Sequence, residues 1–326
     1  MSNITIIKSL KPDTLGKRFK LDGNGTMKKS VVASVWKGKA KRLNTSTFKE
    51  LTNLLKGVCE ASDIALMAGC FIDAEHGEAV NLVTKEKLTK LLKCDEKDTP
   101  GGVQEIDGEK YVARVKLGVE PGNWLLIDAD NPEGIPDKWK VLNLQDRLKL
   151  LEPLVPGIST CTRVEYRSSS ARVVKNGEQP GGATHAWMQI SDPAKMEILR
   201  EHVKVKMQLE GLSFPSSRYS KETRQVIGHE PRTVIDLAVW VPGRLVFCSK
   251  PVVSVQGFFV ADADIKIVNP DGGVLDVSSI ELPSDCNLEQ LQEKTGRILS
   301  YSQNNGLKVS DTGILTLDTL IDIKGV

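Results

Sequence analysis

The stretch Asn123-Trp124-Leu125-Leu126-Ile127-Asp128-Ala129-Asp130-Asn131-Pro132 narrows the possible folds more than any other part of the chain. Four apolar residues, Trp124 to Ile127, are entered from Pro121-Gly122 and stopped by Asn131-Pro132, which is the pattern of a buried strand. Strand side chains alternate between faces, so Asp128 and Asp130 point the same way. Two carboxylates at a strand end repel each other unless something positive sits between them, and a hard divalent cation with oxygen ligands meets that need. The result is an Asp-x-Asp platform suited to enzymes that handle nucleoside triphosphates or nucleotide sugars. The plain alternative is a strand end running into a solvated, Asp-rich turn.

Charge is distributed unevenly. The 326 residues carry a net +2, with 40% hydrophobic and 26% charged residues, so the chain reads as an ordinary soluble protein of one elaborated domain or two units. Residues 1–50 hold twelve Lys or Arg against three acids, a net +9, while residues 254–326 hold eleven acids against five bases, a net −6. A basic front suits contact with a polyanion on one side only, and a merely solvated basic face is the alternative. Lys37, Lys39, Lys41 and Arg42 are the candidate nucleic-acid contacts. Six cysteines (Cys59, Cys70, Cys94, Cys161, Cys248 and Cys286) show no C-x-x-C pair, so no zinc site or disulfide framework is read. With no leader-like or membrane-length apolar run, the expectation is a cytoplasmic protein with reduced thiols and no membrane partner.

Periodicity predicts alternating strands and helices without a regular beat. A strand is expected over Val31–Trp36. Thr47 and Glu50 form a capping-box pattern ahead of Phe48, Leu51, Leu54 and Leu55, with Gly57 as a stop. A second helix is expected over Lys85–Lys93, with Leu88, Leu91 and Leu92 inward, then a polar loop over 94–110. Strands follow at Tyr111–Leu117, Asn123–Asp130, Thr160–Arg167, Ala171–Val174 and Ala183–Ile190. Asn143 caps a helix with Leu144, Leu148 and Leu151 inward. Asp192 and Pro193 start another, with Met196, Leu199, Val203 and Met207 as its stripe and Gly211 as its end. A strand over Thr233–Trp240 is expected to turn at Pro242-Gly243 into Arg244–Phe247 as a hairpin. Asn287 with Gln290 starts a last short helix through Leu288, Leu291 and Leu299. The expected class is α+β with a largely antiparallel sheet. Its segments are a basic lobe over 1–110, a core over 111–268 and an acidic segment over 269–326.

Three further stretches could complete a site with Asp128 and Asp130. Arg167-Ser168-Ser169-Ser170-Ala171-Arg172 brackets three hydroxyls with guanidinium forks that could wrap phosphate oxygens. In Gly181-Gly182-Ala183-Thr184-His185-Ala186-Trp187-Met188-Gln189-Ile190, period two puts His185, Trp187 and Gln189 on one face and the mainly apolar Thr184, Ala186, Met188 and Ile190 on the other. The glycines leave room for a ligand. In Arg232-Thr233-Val234-Ile235-Asp236-Leu237-Ala238-Val239-Trp240, Asp236 interrupts an apolar run. A carboxylate in a buried strand is unfavourable unless it is paired or holds a metal.

Taken in order, Ile127-Asp128-Ala129-Asp130, Ala183-Thr184-His185 and Ile235-Asp236 resemble the motifs of the archaeo-eukaryotic primase superfamily, in particular the primase-polymerases of phages and plasmids. The Arg167–Arg172 segment is similar to the serine-rich stretch ahead of the histidine in phage members, and Ile235–Phe247, with Pro242-Gly243-Arg244, is also similar. The resemblance covers about residues 111–253 well and the front of the chain loosely. It departs in the long stretch from His185 to Asp236, in the lack of a zinc-binding Cys/His stem, and in the lack of a G-x-x-x-x-G-K loop.

The resemblance implies an RRM-like catalytic core packed against an N-terminal α/β lobe. It implies that Asp128, Asp130 and Asp236 hold Mg²⁺ or Mn²⁺, with His185 on the phosphates of the incoming nucleotide. Arg167, Ser168, Ser169, Ser170 and Arg172 would bind the triphosphate, with Arg244 a further candidate. The partners implied are a single-stranded DNA template, NTPs or dNTPs, and a replicative helicase on a separate chain or on a missing C-terminal part. Two other readings stay open: a metal-dependent glycosyltransferase using the Asp-x-Asp pair, and a non-catalytic single-stranded nucleic-acid-binding module.

Overall fold

The computed structural model describes residues 3–293, apart from 11–14, 33–34, 116–117, 133, 177, 179–182, 221–222, 224 and 286, together with 308–309 and 323–324. Gly181, Gly182, Leu117, Cys286 and Leu299 therefore lie outside the described residues, as does most of the acidic segment beyond 293. The chain gathers into two compact units. One comprises Met1–Asp128, Thr160–Met196 and Ala238–Asp276; the other comprises Ala129–Ser159, Glu197–Leu237 and Val277–Val326. The breaks expected at 110 and 268 both fall inside the first unit. The polar stretch before residue 110 is not a linker. Gln104–Ile106 pairs antiparallel with Glu109–Ala113 around Asp107-Gly108, whose φ values of 52° and 76° suit a tight hairpin turn.

The first unit is built on two main sheets. The larger runs in the order Leu245–Val246, Ile64–Ala68, Asn3–Ser9, Lys37–Asn44, Ala79–Val83, Glu109–Ala113, Gln104–Ile106. The smaller runs Trp124–Asp128, Thr184–Gln189, Arg163–Arg167, Lys266–Val268. Among the described strand pairs only Ala79–Val83 with Glu109–Ala113, and Gly16–Leu21 with Val252–Ser254, are parallel, apart from the isolated bridges Arg42 to His76 and Ile190 to Leu275. The chain is thus α+β with mostly antiparallel sheets, as expected.

Helix Phe48–Glu60 joins the two sheets into one core. Its Leu51, Leu55 and Val58 pack with Ile4, Leu66 and Val246 of the larger sheet and with Trp124, Leu126, Val164 and Trp187 of the smaller. Both halves of the capping box form, the Glu50 N–H donating to Thr47 Oγ1 and the Thr47 N–H to the Glu50 carboxylate. The Ser46 N–H first, and then the Thr47 N–H, donate to the Glu50 carboxylate and hold it below its usual range. Gly57 does not stop this helix, which runs on to Glu60 and keeps Val58 and Cys59 buried. Packing of those two residues outweighs the glycine's weak helix preference. Helix Lys85–Leu92 covers Val83 and Ala113 at the other end of the larger sheet and ends with Lys93 in a left-handed conformation.

In chain order, the smaller sheet and two helices run strand Trp124–Asp128, helix Leu144–Leu151, strands Arg163–Arg167 and Thr184–Gln189, helix Met196–Leu209 and strand Lys266–Val268. Thr184–Gln189 sits antiparallel between the two strands that flank the first helix, a split βαβ arrangement. The last strand lies beside Arg163–Arg167.

Three expectations are corrected past residue 212. The hairpin of the second unit pairs Ser213–Tyr219 with Val226–Thr233, and the strand stops at Thr233. Beyond it the chain bends, the Thr233 hydroxyl donating to the Ile235 carbonyl, and Leu237–Trp240 is a 3₁₀ turn instead of a strand. Leu245–Val246 accordingly pairs with Ile64–Ala68 of the larger sheet and makes no hairpin with 233–240. In the helix over 285–293, Ser284 takes the capping place given to Asn287, its hydroxyl accepting the Asn287 N–H. Leu288 and Leu291 of that helix pack against Val205 and Leu209.

Candidate metal centre

The site grows from strand register. Trp124, Leu125, Leu126 and Ile127 are all buried, and the strand pairs antiparallel with Thr184–Gln189 so that Asp128 faces His185. His185 in turn faces Tyr166 on Arg163–Arg167. Asp128, His185 and Tyr166 thus form one polar rung across three strands, at the end of a face otherwise made of Trp124, Leu126, Trp187 and Val164. The histidine face is therefore the core face, and His185 itself is only 6% exposed.

Both ring nitrogens of His185 have partners in this rung. Nε2 lies 3.3 Å from Asp128 Oδ1, and Nδ1 lies 3.3 Å from the Tyr166 hydroxyl, with the two rings edge-to-face at 5.4 Å. Burial, reinforced by the nearby Cys248 and Cys59 thiols, pushes the Tyr166 phenol well above its usual range, so it stays protonated. A hydroxyl both donates and accepts. Tyr166 can therefore donate to Nδ1 while Nε2–H faces Asp128, or accept from Nδ1–H while Nε2 offers its lone pair to a metal.

Asp130 follows Asp128 by two residues, and the chain itself holds it close. One ligand atom each from Asp128, Asp130 and His185 lie within 4.8 Å of one another. Adjacent ligands on one ion at 2.0–2.3 Å stand about 3–4 Å apart, so this set would hold a divalent ion once its atoms draw together around it. Two carboxylates and an imidazole are a donor set that Mn²⁺ tolerates well, and Mg²⁺ through its oxygens.

Asp236 is not part of this cluster. It lies in the bend between Thr233 and the 3₁₀ turn, with its side chain 33% exposed and 3.9 Å from Arg232 Nη1. The high cost of a carboxylate in a buried strand, which singled it out in the sequence, does not apply there.

The serine-rich segment is largely committed to the protein itself. Ser168 and Ser169 are buried, with the Ser168 hydroxyl accepting the Ala171 N–H and the Ser169 hydroxyl donating to the Ser249 and Phe247 carbonyls. Arg172, also buried, donates to the Ala261 and Cys59 carbonyls and to the Glu60 carboxylate. Arg167 pairs with Asp264 at 3.0 Å, and Ser170 accepts from Lys17 Nζ at 2.6 Å. These bonds replace the phosphate cradle expected of Ser168, Ser169 and Arg172, all three of which are turned into the unit. Arg244 is exposed, next to Gly243, whose carbonyl accepts from Arg114.

Lys37, Lys39 and Lys41 alternate with the buried Gly38 and Ala40, so they form one exposed row on the larger sheet. Lys39 faces Lys8 on the neighbouring strand. Arg42 belongs to the opposite face, where it donates to the Asn3 side chain and the Ala74 carbonyl.

Sequence reasoning missed Arg147. It is buried between Leu144, Leu148 and Leu151 and donates to the carbonyls of Asp130, Val234 and Trp139 and to the Asn131 side chain. Its fork fixes the turn that carries Asp130. The signal was an arginine at an inward helical position, three residues after one leucine and four before another. No family model, curated protein or solved structure matches the chain.

Proposed function

We propose that this chain is a metal-dependent nucleotidyltransferase that copies a nucleic-acid template, a primase-polymerase of the phage and plasmid kind. The observation that carries the reading is the cluster of Asp128, Asp130 and His185 on paired strand ends, the positions at which the primase-like motifs fall. The split βαβ order of the smaller sheet supports an RRM-like core, from which the placement of the fourth strand beside Arg163–Arg167 departs. The lysine row supplies a surface for template phosphates.

The reaction joins a 3′-hydroxyl oxygen to the α-phosphorus of an incoming NTP or dNTP and breaks the α–β phosphoanhydride bond, releasing pyrophosphate. Asp128, Asp130 and His185 would hold Mg²⁺ or Mn²⁺, which supplies Lewis-acid neutralisation of the phosphoryl oxygens. The chain's own part is positioning. Tyr166 orients the His185 ring, and Arg147 sets the Asp130 turn. A replicative helicase on another chain is the natural partner of such an activity.

The test is template-dependent synthesis, with and without primer, using NTPs and dNTPs with Mg²⁺ or Mn²⁺. Wild type should incorporate nucleotide, and Asp128→Ala with Asp130→Ala should lose incorporation while keeping its circular dichroism spectrum. Near wild-type incorporation by the double variant would sink the reading. Turnover of a sugar nucleotide instead of an NTP would transfer the site to glycosyl chemistry.

A further inference from the structure

We infer that the hairpin formed by Gly16–Leu21 and Met27–Val32 is a second nucleic-acid contact, an arm that grips the phosphate backbone of a duplex. Its register sets Arg18 opposite Ser30 and Lys20 opposite Lys28, so these four share one face, while Lys17 and Lys29 lie on the other. Like charges directly opposite each other on a strand pair are destabilising. Residues 27–31 are all exposed, and Met27–Val32 pairs with no described strand other than Gly16–Leu21. The hairpin is anchored through the buried Phe19 and the parallel strand Val252–Ser254. Its outer strand meets solvent on both sides, so its basic residues do nothing for the core.

Lys20, Lys28 and Lys29 are poorly compensated. Asp22 is the single acid between residues 16 and 32, against Lys17, Arg18, Lys20, Lys28 and Lys29. Its Oδ1 already accepts the Asn24 and Thr26 N–H groups of the turn, which leaves only a 3.5 Å contact from Oδ2 to Lys28. Neither Lys20 nor Lys29 has an ion-pair partner among the described residues.

Lysines on an outer strand can serve merely to block edge-to-edge pairing. That role does not account for Arg18 and Lys20, which sit on the inner strand. A membrane-lying element needs one uncharged apolar face, whereas here Lys17 and Lys29 interrupt the face that carries Leu21, Met27 and Val31. The open strand Met27–Val32, with Lys28 on one face and Lys29 on the other, can lie along a duplex and meet its backbone phosphates, the contacts that dominate affinity for nucleic acid. The arm rests on the nucleic-acid part of the proposed function and not on its catalysis.

The test measures equilibrium binding of the full chain to a fluorescent duplex of fixed sequence across a range of salt concentrations, without nucleotide or metal. The variant Lys20→Gln/Lys28→Gln/Lys29→Gln should bind more weakly at 0.1 M salt, by about eightfold for each phosphate it no longer neutralises, and its salt slope should be shallower by about 0.9 for each such phosphate. Lys28→Glu places an opposite charge across from Lys20, so it should keep or raise the melting temperature while still losing duplex affinity. A loss of affinity in this variant cannot be ascribed to unfolding. Unchanged duplex affinity and slope in both variants would overturn the inference. So would binding to phosphatidylserine vesicles that the triple variant loses while duplex affinity stays at wild type. If wild type incorporates no nucleotide yet its duplex affinity depends on these lysines, the catalytic reading fails and the arm stands.

Discussion

Replacing Arg147 by Met keeps the unbranched stem of the side chain and removes every donor. The guanidinium serves four acceptors. The bonds to Val234 O at 2.8 Å and Trp139 O at 3.1 Å are fully buried, while those to Asp130 O at 3.2 Å and to the Asn131 side chain are partly open to water. Each buried carbonyl left without a donor costs about 1–3 kcal/mol, and the two partly open ones cost about 0.5 kcal/mol each because water reaches them. Against this total of some 3–7 kcal/mol stands the recovered desolvation of a buried cation, which is several kcal/mol. The net expectation is a loss of about 1–3 kcal/mol, a sizeable part of a typical total stability of about 5–15 kcal/mol. Urea unfolding followed by far-UV circular dichroism measures it. Titration calorimetry with Mn²⁺ should show binding weakened by roughly 10–100-fold, because the turn bearing Asp130 loses its tether. Arg147→Lys, with a point charge but no fork, should fall between the two. Stability within 1 kcal/mol of wild type, together with unchanged Mn²⁺ affinity, would refute the assignment of Arg147 as the residue that positions Asp130.

Two further outcomes are expected. Gly57 lies inside helix Phe48–Glu60, and an added Cβ would meet nothing within 4 Å, so Gly57→Ala should stabilise the protein by about 0.5–1 kcal/mol in the same urea experiment; a loss of stability would show that the site is more crowded than the structure indicates. The Glu60 carboxyl is held below its usual range by Lys250 first and then by Arg172, so its contribution is present above the ordinary glutamate value of about 4.3 and is lost as pH falls through the lower folded value. Melting temperature should accordingly fall less between pH 6 and pH 3 in Glu60→Gln than in wild type, and parallel curves for the two proteins would contradict this linkage.

The sequence disclosed most where local chemistry and tertiary packing agree. The Thr47–Glu50 box, the Asn143 cap and the strands that carry Asp128 and His185 needed only side-chain period and hydrogen-bonding capacity to be found. It misled where one composition serves two structures. The run Val234 to Trp240 is apolar enough for a strand, but Leu237–Trp240 buries its side chains as a 3₁₀ turn, and short apolar runs do not separate these cases. Asp236 was displaced with it. For Ser168, Ser169 and Arg172 the difficulty was direction. Hydroxyls and a guanidinium are equally able to hold a phosphate or their own backbone, and only the fold shows that Ser168 accepts from the Ala171 N–H while Ser169 and Arg172 donate to the carbonyls of Ser249, Ala261 and Cys59. The Asp107-Gly108 turn was legible as a hairpin signal, although its polar surroundings suggested a linker.

The rung of Asp128, His185 and Tyr166 also bears on how the chain finds its own alignment. Trp124, Leu125, Leu126 and Ile127 are apolar on both faces, so a slip by one residue against Thr184–Gln189 would exchange one greasy set for another at little hydrophobic loss. The polar handles break this degeneracy. Only in the observed alignment does Asp128 meet His185, and only there does the Trp124 indole N–H reach the Thr45 carbonyl while Leu126 O receives the Trp240 indole. Two of the residues that could hold a metal therefore double as a proofreading mark for the strand, and a mispaired chain would betray itself by burying a carboxylate or a histidine without its partner.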